Sequence, residues 1–235
     1  GPEVVLFADS FNTYFEPQVL RDGLTVLEAG GRRVIVPRAK NARHKLCCGR
    51  TFLSSGLIDE AKLEAVRLLE YLSPYVELEV PIVGMEPSCV FTIKDELPSL
   101  VPGPRAQKLA DHVQLLEEYL ITENDAGRLN LKFRTSEPEK VLLHGHCHQK
   151  AFDKMDCTIK LLERIPGIEV ETINSGCCGM AGSFGYQAEN YEVSMEMAEL
   201  SLLPRIRQAT ANEHIAACGT SCRHQIEHGS GRSVR

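Results

Sequence analysis

Short apolar runs alternate with stretches of helical periodicity along almost the whole chain. Strands are predicted over residues 3–8, 32–36, 80–84, 141–143, 168–173 and 213–216. The run over residues 3–8 is the most continuously apolar, which is consistent with a strand buried on both faces. A shorter pattern predicts a further strand over residues 129–133. Apolar residues recur at helical spacing over residues 17–27, 58–72, 104–122, 157–164 and 187–209. Because strands alternate with helices, we predict an α/β fold with parallel sheets.

The order of these elements repeats, and cysteine-containing loops follow the strands in both halves. Three pairs of positions correspond between the halves: Ser10 with Cys147, Cys47-Cys48 with Cys177-Cys178, and Cys89 with Cys222. The repeat predicts two pseudo-symmetric Rossmann-like lobes, residues 1–136 and 137–235, each with a parallel sheet. Ligands of such sheets bind beyond the carboxyl ends of the strands. We therefore expect the cysteine loops of each lobe to converge there, with the lobes joined near Ser136-Glu137-Pro138.

Charge and hydropathy exclude several classes of function. The net charge is −6 and no basic stretch is present, so a nucleic-acid partner is not expected. No apolar run approaches the ~20 residues of a membrane helix, and no charged-then-apolar leader precedes the first strand. We expect neither an integral membrane protein nor an exported one. Gly1-Pro2 lies directly before that strand, which favours a part of a larger polypeptide.

The nine cysteines provide the main chemical signal. Without an export signal, clustered thiols favour metal binding over disulfides. Cys47-Cys48-Gly49 and Cys177-Cys178-Gly179 each place two thiols side by side. Adjacent cysteines rarely form a disulfide with each other, and two neighbouring thiolates need a cation, a helix N-terminus or a metal.

The second half has the fuller set of candidate ligands. Cys147, Cys177, Cys178 and Cys222 supply four thiolates from three loops, and Cys218 offers a fifth. Four cysteines suit either structural zinc or an iron–sulfur cluster. Because the ligands are spread over a whole lobe and form no Cys-x-x-Cys pair, a cluster is favoured, with zinc as the alternative.

The first half has a smaller set of candidate metal ligands. Cys47, Cys48 and Cys89 provide three thiolates, which can bind a metal together with an outside ligand. Asp9 or His44 is a candidate to complete this set. The alternative is a degenerate repeat that is kept only for packing.

Three histidines flank Cys147 in alternation, namely His144, His146 and His148. In an extended segment they share one face. They are candidates to orient a metal centre as outer-shell donors, and His146 and His148 are candidates to ligate it directly. A Cys147–histidine nucleophile is also conceivable, but it leaves the double cysteines unexplained.

Three motifs carry a resemblance to a known family: His144-Gly145-His146-Cys147-His148-Gln149-Lys150, Ser175-Gly176-Cys177-Cys178-Gly179-Met180-Ala181-Gly182 and Gly219-Thr220-Ser221-Cys222-Arg223-His224-Gln225. The chain resembles the cysteine-rich CCG domain of heterodisulfide-reductase-like iron–sulfur oxidoreductases. It looks most like the C-terminal region of FAD-linked D-lactate and D-2-hydroxyglutarate dehydrogenases. Cys218 departs from the family pattern because its spacing to Cys222 is one residue too wide, and the first half lacks the leading cysteine.

The resemblance implies a specific cofactor and partners. It implies a [4Fe-4S] cluster at Cys147, Cys177, Cys178 and Cys222, zinc at either repeat as an alternative, and FAD on a separate domain. The expected partners are a flavin domain and a ferredoxin-like domain, in the cytoplasm or peripheral to the inner membrane face.

We therefore expect an electron-transfer domain of a flavin-dependent D-2-hydroxy acid dehydrogenase, which is not active alone. The alternatives are a zinc-binding docking module for a flavoprotein and a metal site that binds substrate.

Overall fold

A computed structural model describes residues 1–38, 45–134 and 139–234. His44 and the Ser136–Pro138 boundary lie outside the described residues. The chain divides into two compact units, Gly1–Leu131 and Lys132–Arg235.

A four-stranded parallel sheet forms the centre of the first unit. Its strands are β1 (Glu3–Phe7), β2 (Arg33–Ile35), β3 (Ile82–Gly84) and β4 (Val113–Leu115), in the order β2-β1-β3-β4. The strand β1 is central because it is apolar on both faces, and Val4 to Phe7 are buried.

Helices cover this sheet and form the crossover connections between its parallel strands. They are α1 (Ser10–Tyr14), α2 (Pro17–Ala29), α3 (Arg50–Ser54), α4 (Ile58–Glu77), α5 (Pro87–Phe91), one π-helical turn (Thr92–Glu96), α6 (Leu97–Leu100), α7 (Pro104–His112) and α8 (Leu116–Asp125). Ala61, Ala65, Leu68 and Leu72 of α4 recur at helical spacing and are buried, as the pattern predicts.

Two of the elements expected from the sequence are wrong. The helix predicted over 104–122 is interrupted by β4, which pairs with β3 through Val113 and Leu115. Both side chains are fully buried. Their apolar character matches the buried positions of the flanking helices, so periodicity alone does not distinguish these three strand residues from a helix. The strand predicted over 129–133 does not form, since these residues have no regular structure.

The second unit contains a three-stranded parallel sheet. Its strands are β5 (Glu139–His144), β6 (Ile168–Thr172) and β7 (Glu213–Ala217), in the order β6-β5-β7. Its helices are α9 (Cys147–Ala151), α10 (Met155–Glu163), α11 (Tyr191–Glu199), α12 (Leu202–Arg207) and α13 (Thr220–Ser230), with two short 3-10 turns at Phe184–Tyr186 and Ala188–Asn190.

The first three strands of each unit share one topology. The first strand is central, the second lies on one side of it and the third on the other. The register also agrees, since Phe7 at the end of β1 pairs with Gly84 and His144 at the end of β5 pairs with Ala217. The α/β class with two parallel sheets is confirmed. Among the described residues, no helix has the length and apolar character needed to cross a membrane.

Candidate metal centre

The three cysteine loops of the second unit follow the carboxyl ends of its three strands. Cys147 begins α9 after β5, Cys177 and Cys178 follow β6, and Cys222 lies in the first turn of α13 after β7. Carboxyl ends of parallel strands share one edge of the sheet, so the loops meet there. The positive end of the α13 dipole also favours a thiolate at Cys222.

Four sulfur atoms form a continuous series of contacts at this edge. The thiols of Cys147 and Cys178 donate to Cys177, which raises the pKa of both donors and lowers that of Cys177. A hydrogen bond from Cys178 likewise holds the pKa of Cys222 well below its usual range. Cys178 and Cys222 are buried, whereas Cys147 and Cys177 are half-buried. Four cysteine side chains in contact form a donor set suited to a soft metal.

Backbone amides support the same sulfur atoms. The Gly179 N–H lies 3.4 Å from the Cys177 Sγ, and the amides of Gly179 and Ala181 both lower the Cys177 pKa. This turn requires positive φ angles, +93° at Gly179 and +41° at Ala181. A Cβ at Gly179 would lie 2.1 Å from the Ser194 carbonyl oxygen, so only glycine fits there.

Lys150 connects the loop after β5 to the loop after β6. Its Nζ donates to the carbonyl oxygens of Ser175 at 2.5 Å and Gly176 at 3.2 Å. Burial lowers the Lys150 pKa, and the four neighbouring cysteines act against that shift. A cation fixed beside a set of thiolates compensates part of their negative charge.

His144 lies beside two of the buried cysteines of this site. Its side chain is fully buried at the end of β5, and its Nδ1 lies 2.9 Å from the Ser175 Oγ. The ligand atoms of His144, Cys178 and Cys222 all lie within 4.8 Å of one another. The alternation of three histidines includes this residue, but it does not distinguish His144 from its neighbours.

His146 takes part in the start of α9. Its Nδ1 accepts the His148 N–H at 3.1 Å, and the Gln149 side chain accepts the His146 N–H at 3.1 Å. The two bonds form a capping box. The His146 Nδ1 also lies 3.9 Å from the Cys147 Sγ, and the His148 ring packs edge-on against the His146 ring. Direct ligation by His146 or His148 stays a prediction.

Two further cysteines of this unit lie at the margins of the four-sulfur set. Cys218 is half-buried between β7 and α13, and it stays a prediction as a ligand. Cys157 lies in α10 and donates to the Lys154 carbonyl oxygen at 2.9 Å.

The first unit repeats the arrangement with three thiols. The Sγ atoms of Cys48 and Cys89 are 2.8 Å apart and both side chains are buried. Gly49 has φ +83°, and its N–H lies 3.4 Å from the Cys47 Sγ, which reproduces the geometry at Gly179. The Ser10 hydroxyl forms a hydrogen bond with Cys47 where the second unit has Cys147.

Two buried carboxyl groups accompany these thiols. Asp9 caps α1 by accepting the Asn12 N–H at 2.9 Å. Burial, together with the neighbouring Glu86 carboxylate, raises the pKa of Asp9 to about 6. A hydrogen bond from Cys48 lowers the pKa of Cys89, but burial and the two carboxyl groups outweigh it and raise that pKa to about 12. The first unit is thus richer in acidic groups and poorer in thiols than the second.

Comparisons with known proteins match both the motif region and the whole chain. A family model described as CCG, cysteine-rich domain, matches residues 141–227. One subunit of the anaerobic glycerol-3-phosphate dehydrogenase of Escherichia coli (strain K12) is 31% identical over 228 residues, covering 96% of this chain and 54% of the relative. D-2-hydroxyglutarate dehydrogenase of the same organism is 26% identical, covering 99% of this chain and 22% of the relative.

A third relative is matched over most of both lengths. Lactate utilization protein A 2 of Bacillus cereus is 25% identical, covering 82% of this chain and 78% of the relative. The chain therefore spans about half the length of the glycerol-3-phosphate dehydrogenase subunit and about a fifth of the hydroxyglutarate dehydrogenase.

Proposed function

Residues 141–227 belong to the CCG cysteine-rich domain family, and from this premise we propose that the chain is an iron–sulfur electron-transfer part of a flavin-linked dehydrogenase. The observation that carries the proposal is the continuous contact of Cys147, Cys177, Cys178 and Cys222. Two of the three relatives described above are named as dehydrogenases or their subunits.

The residues present fit an iron–sulfur cluster. Four sulfur atoms come from three separate loops, two of them in a buried environment. The amide groups of Gly179 and Ala181 point to sulfur, and the Lys150 ammonium group lies in the field of the four cysteines. Thiolates, amide hydrogen bonds and burial are the means by which a protein holds such a cluster and sets its potential.

When bound, the cluster supplies one-electron transfer, which complements the two-electron chemistry of a flavin. The residues of this chain would then hold the cluster at the four sulfurs and limit access of water at the Cys178 and Cys222 side. The partners we propose are a flavin domain and a ferredoxin-like domain of the same polypeptide or complex, with a separate electron acceptor.

The substrate of the flavin partner is proposed from the names of the relatives. Glycerol 3-phosphate, D-2-hydroxyglutarate and lactate all carry a secondary alcohol. We therefore propose a small secondary alcohol as the electron source, with a D-2-hydroxy acid as the first candidate and glycerol 3-phosphate as the second.

A potentiometric titration followed by electron paramagnetic resonance tests this function. Protein prepared without oxygen is expected to show a signal that appears on reduction and disappears on reoxidation. A protein that contains metal but shows no redox-dependent signal at any potential would exclude electron transfer and favour the zinc docking module.

In the first unit we propose a three-thiol metal site at Cys47, Cys48 and Cys89, open to an outside ligand. Three thiols hold a metal less firmly than four, because one coordination position is left to water or another small ligand. Here Ser10 occupies the position that Cys147 occupies in the second unit.

Replacing Ser10 by cysteine is expected to complete this set. The new thiol replaces a hydroxyl that already contacts Cys47, so about one further metal centre per chain should survive gel filtration with a chelator. Metal analysis of S10C against the unaltered chain measures the gain. The control S55C adds a thiol at an exposed position and should add no metal. Equal metal content in S10C, S55C and the unaltered chain, at no more than about one metal centre per chain, would exclude a metal site in the first unit.

A further inference from the structure

His144 has a buried nitrogen atom without a hydrogen bond of ordinary geometry among the described residues, and, like Cys178, its ring lowers the pKa of the neighbouring Cys222. The His144 side chain is 0% exposed, and its Nε2 is the atom without such a hydrogen bond in that part of the chain. Burying a nitrogen without a well-formed hydrogen bond destabilises the fold, so its retention needs a reason. One ring nitrogen of His144 lies within 4.8 Å of the Cys178 and Cys222 sulfur atoms.

On its other side, the His144 ring contacts the Ser175 hydroxyl group, which can accept a hydrogen bond. The Ser175 hydroxyl donates to the Ile173 carbonyl oxygen at 3.4 Å. The same Oγ is then free to accept, and the His144 Nδ1 lies 2.9 Å from it. When Nδ1 donates its proton to this oxygen, Nε2 carries the lone pair that a metal requires. Histidines that bind metals are oriented in this way, with the second ring nitrogen donating to a fixed acceptor.

The internal repeat provides a comparison for this position. Phe7 ends β1 and pairs with Gly84, as His144 ends β5 and pairs with Ala217. Phe7 is 1% exposed and packs in the apolar core of its unit. The fold therefore accepts an apolar ring at this position. The histidine occurs in the unit whose candidate metal centre has four thiols, and the phenylalanine occurs in the unit whose candidate site has three.

We propose that His144 is a direct metal ligand, whose Nε2 shares the metal centre of the second unit with the Cys178 and Cys222 sulfurs. The metal centre then has one nitrogen donor beside the four sulfur donors of the proposed function, and iron and zinc both accept imidazole and thiolate. This inference rests on the proposed function for the identity of the native centre. The ligand role itself follows from the donor atoms and does not require a particular metal.

X-ray absorption of the chain loaded with cobalt(II) without oxygen tests the ligand role directly. The expected first shell contains sulfur and one nitrogen, with the multiple scattering of an imidazole ring. A shell of sulfur alone would overturn the proposal. Because this measurement uses cobalt and no redox chemistry, its failure is distinct from a failure of the electron-transfer function.

Substitution at His144 gives a second test. H144F reproduces the ring found at Phe7, and H144Q keeps a polar side chain of similar length. Loss of one ligand is expected to weaken cobalt binding by at least about tenfold and to remove the imidazole scattering. The control H214F alters a half-exposed histidine that pairs with Glu139 and should leave both readouts unchanged. Unchanged affinity and scattering in folded H144F or H144Q would overturn the proposal.

Discussion

Replacing Cys178 by serine is expected to remove the metal centre of the second unit. Cys178 is 3% exposed and contacts both Cys177 and Cys222, so it joins the two halves of the four-sulfur set. Serine has nearly the same size but is a poor ligand for a soft metal. Iron bound to the anaerobically prepared protein should fall by at least about tenfold, and the signal seen on reduction should disappear.

The matched control is C157S. Cys157 is half-buried in α10, and its thiol contacts a backbone carbonyl group. Iron content in C157S should equal that of the unaltered chain. Equal iron loss in C157S and C178S would indicate a general effect on folding, and full iron content in C178S would refute the ligand set.

The same pair of variants separates a redox role from a structural one. If the metal serves electron transfer, C178S loses its redox signal while the chain keeps a cooperative thermal transition. If the metal is structural zinc, C178S loses the cooperative transition of the second unit, because zinc binding then contributes directly to folding. Thermal unfolding monitored by circular dichroism distinguishes the two outcomes.

Replacing Gly179 by alanine is expected to have the largest effect on stability. Alanine at φ +93° is strained, and its Cβ would lie 2.1 Å from the Ser194 carbonyl oxygen. Since the obstacle is backbone, the loop or α11 must move. We expect the free energy of unfolding to fall by about 2–4 kcal/mol, measured by urea denaturation of the metal-free chain. Metal affinity should also fall, because the Gly179 amide would move away from Cys177.

Gly176 provides a control in the same loop. A Cβ at Gly176 meets nothing within 4 Å, so G176A should change the free energy of unfolding by no more than about 0.5 kcal/mol. Equal destabilisation by G179A and G176A would show that the loop tolerates no side chain anywhere. A neutral G179A would show that the turn is not constrained as described.

Much of the fold follows from the apolar runs and the repeat. The strands β1 and β5 are recognisable because each contains an uninterrupted apolar run, residues 4–7 in β1 and residues 141–143 in β5. The repeat then predicts that three loops reach one edge of each sheet, because parallel strands all point the same way.

The missed element shows the limit of periodicity. The strand β4 has three residues, and its buried Val113 and Leu115 fit the spacing of the helices on either side. What makes this segment extended is its pairing with β3 and the hydrogen bonds that Lys94 donates to the carbonyl oxygens of Ala110 and Val113. These are long-range contacts, which a local pattern does not contain.

The sequence predicts the cysteines of the candidate site, but it does not predict the different positions of the three histidines. The CCG triplets stand out because adjacent cysteines are chemically unusual. His144, His146 and His148 look equivalent in the sequence, but β5 ends at His144 while α9 begins just after His146. The His144 side chain therefore lies beside the buried sulfurs, and the His146 side chain caps α9. Comparing Phe7 with His144 across the repeat would have identified the distinctive histidine.

The central claim is that the four sulfurs of the second unit hold an iron–sulfur cluster. Quantifying iron, acid-labile sulfide and zinc in freshly purified, anaerobically expressed protein, together with Mössbauer spectroscopy, tests it most directly. We predict iron and sulfide in equal amounts, about four of each per cluster, lost together in C178S. About one zinc per chain with neither iron nor sulfide would contradict the claim.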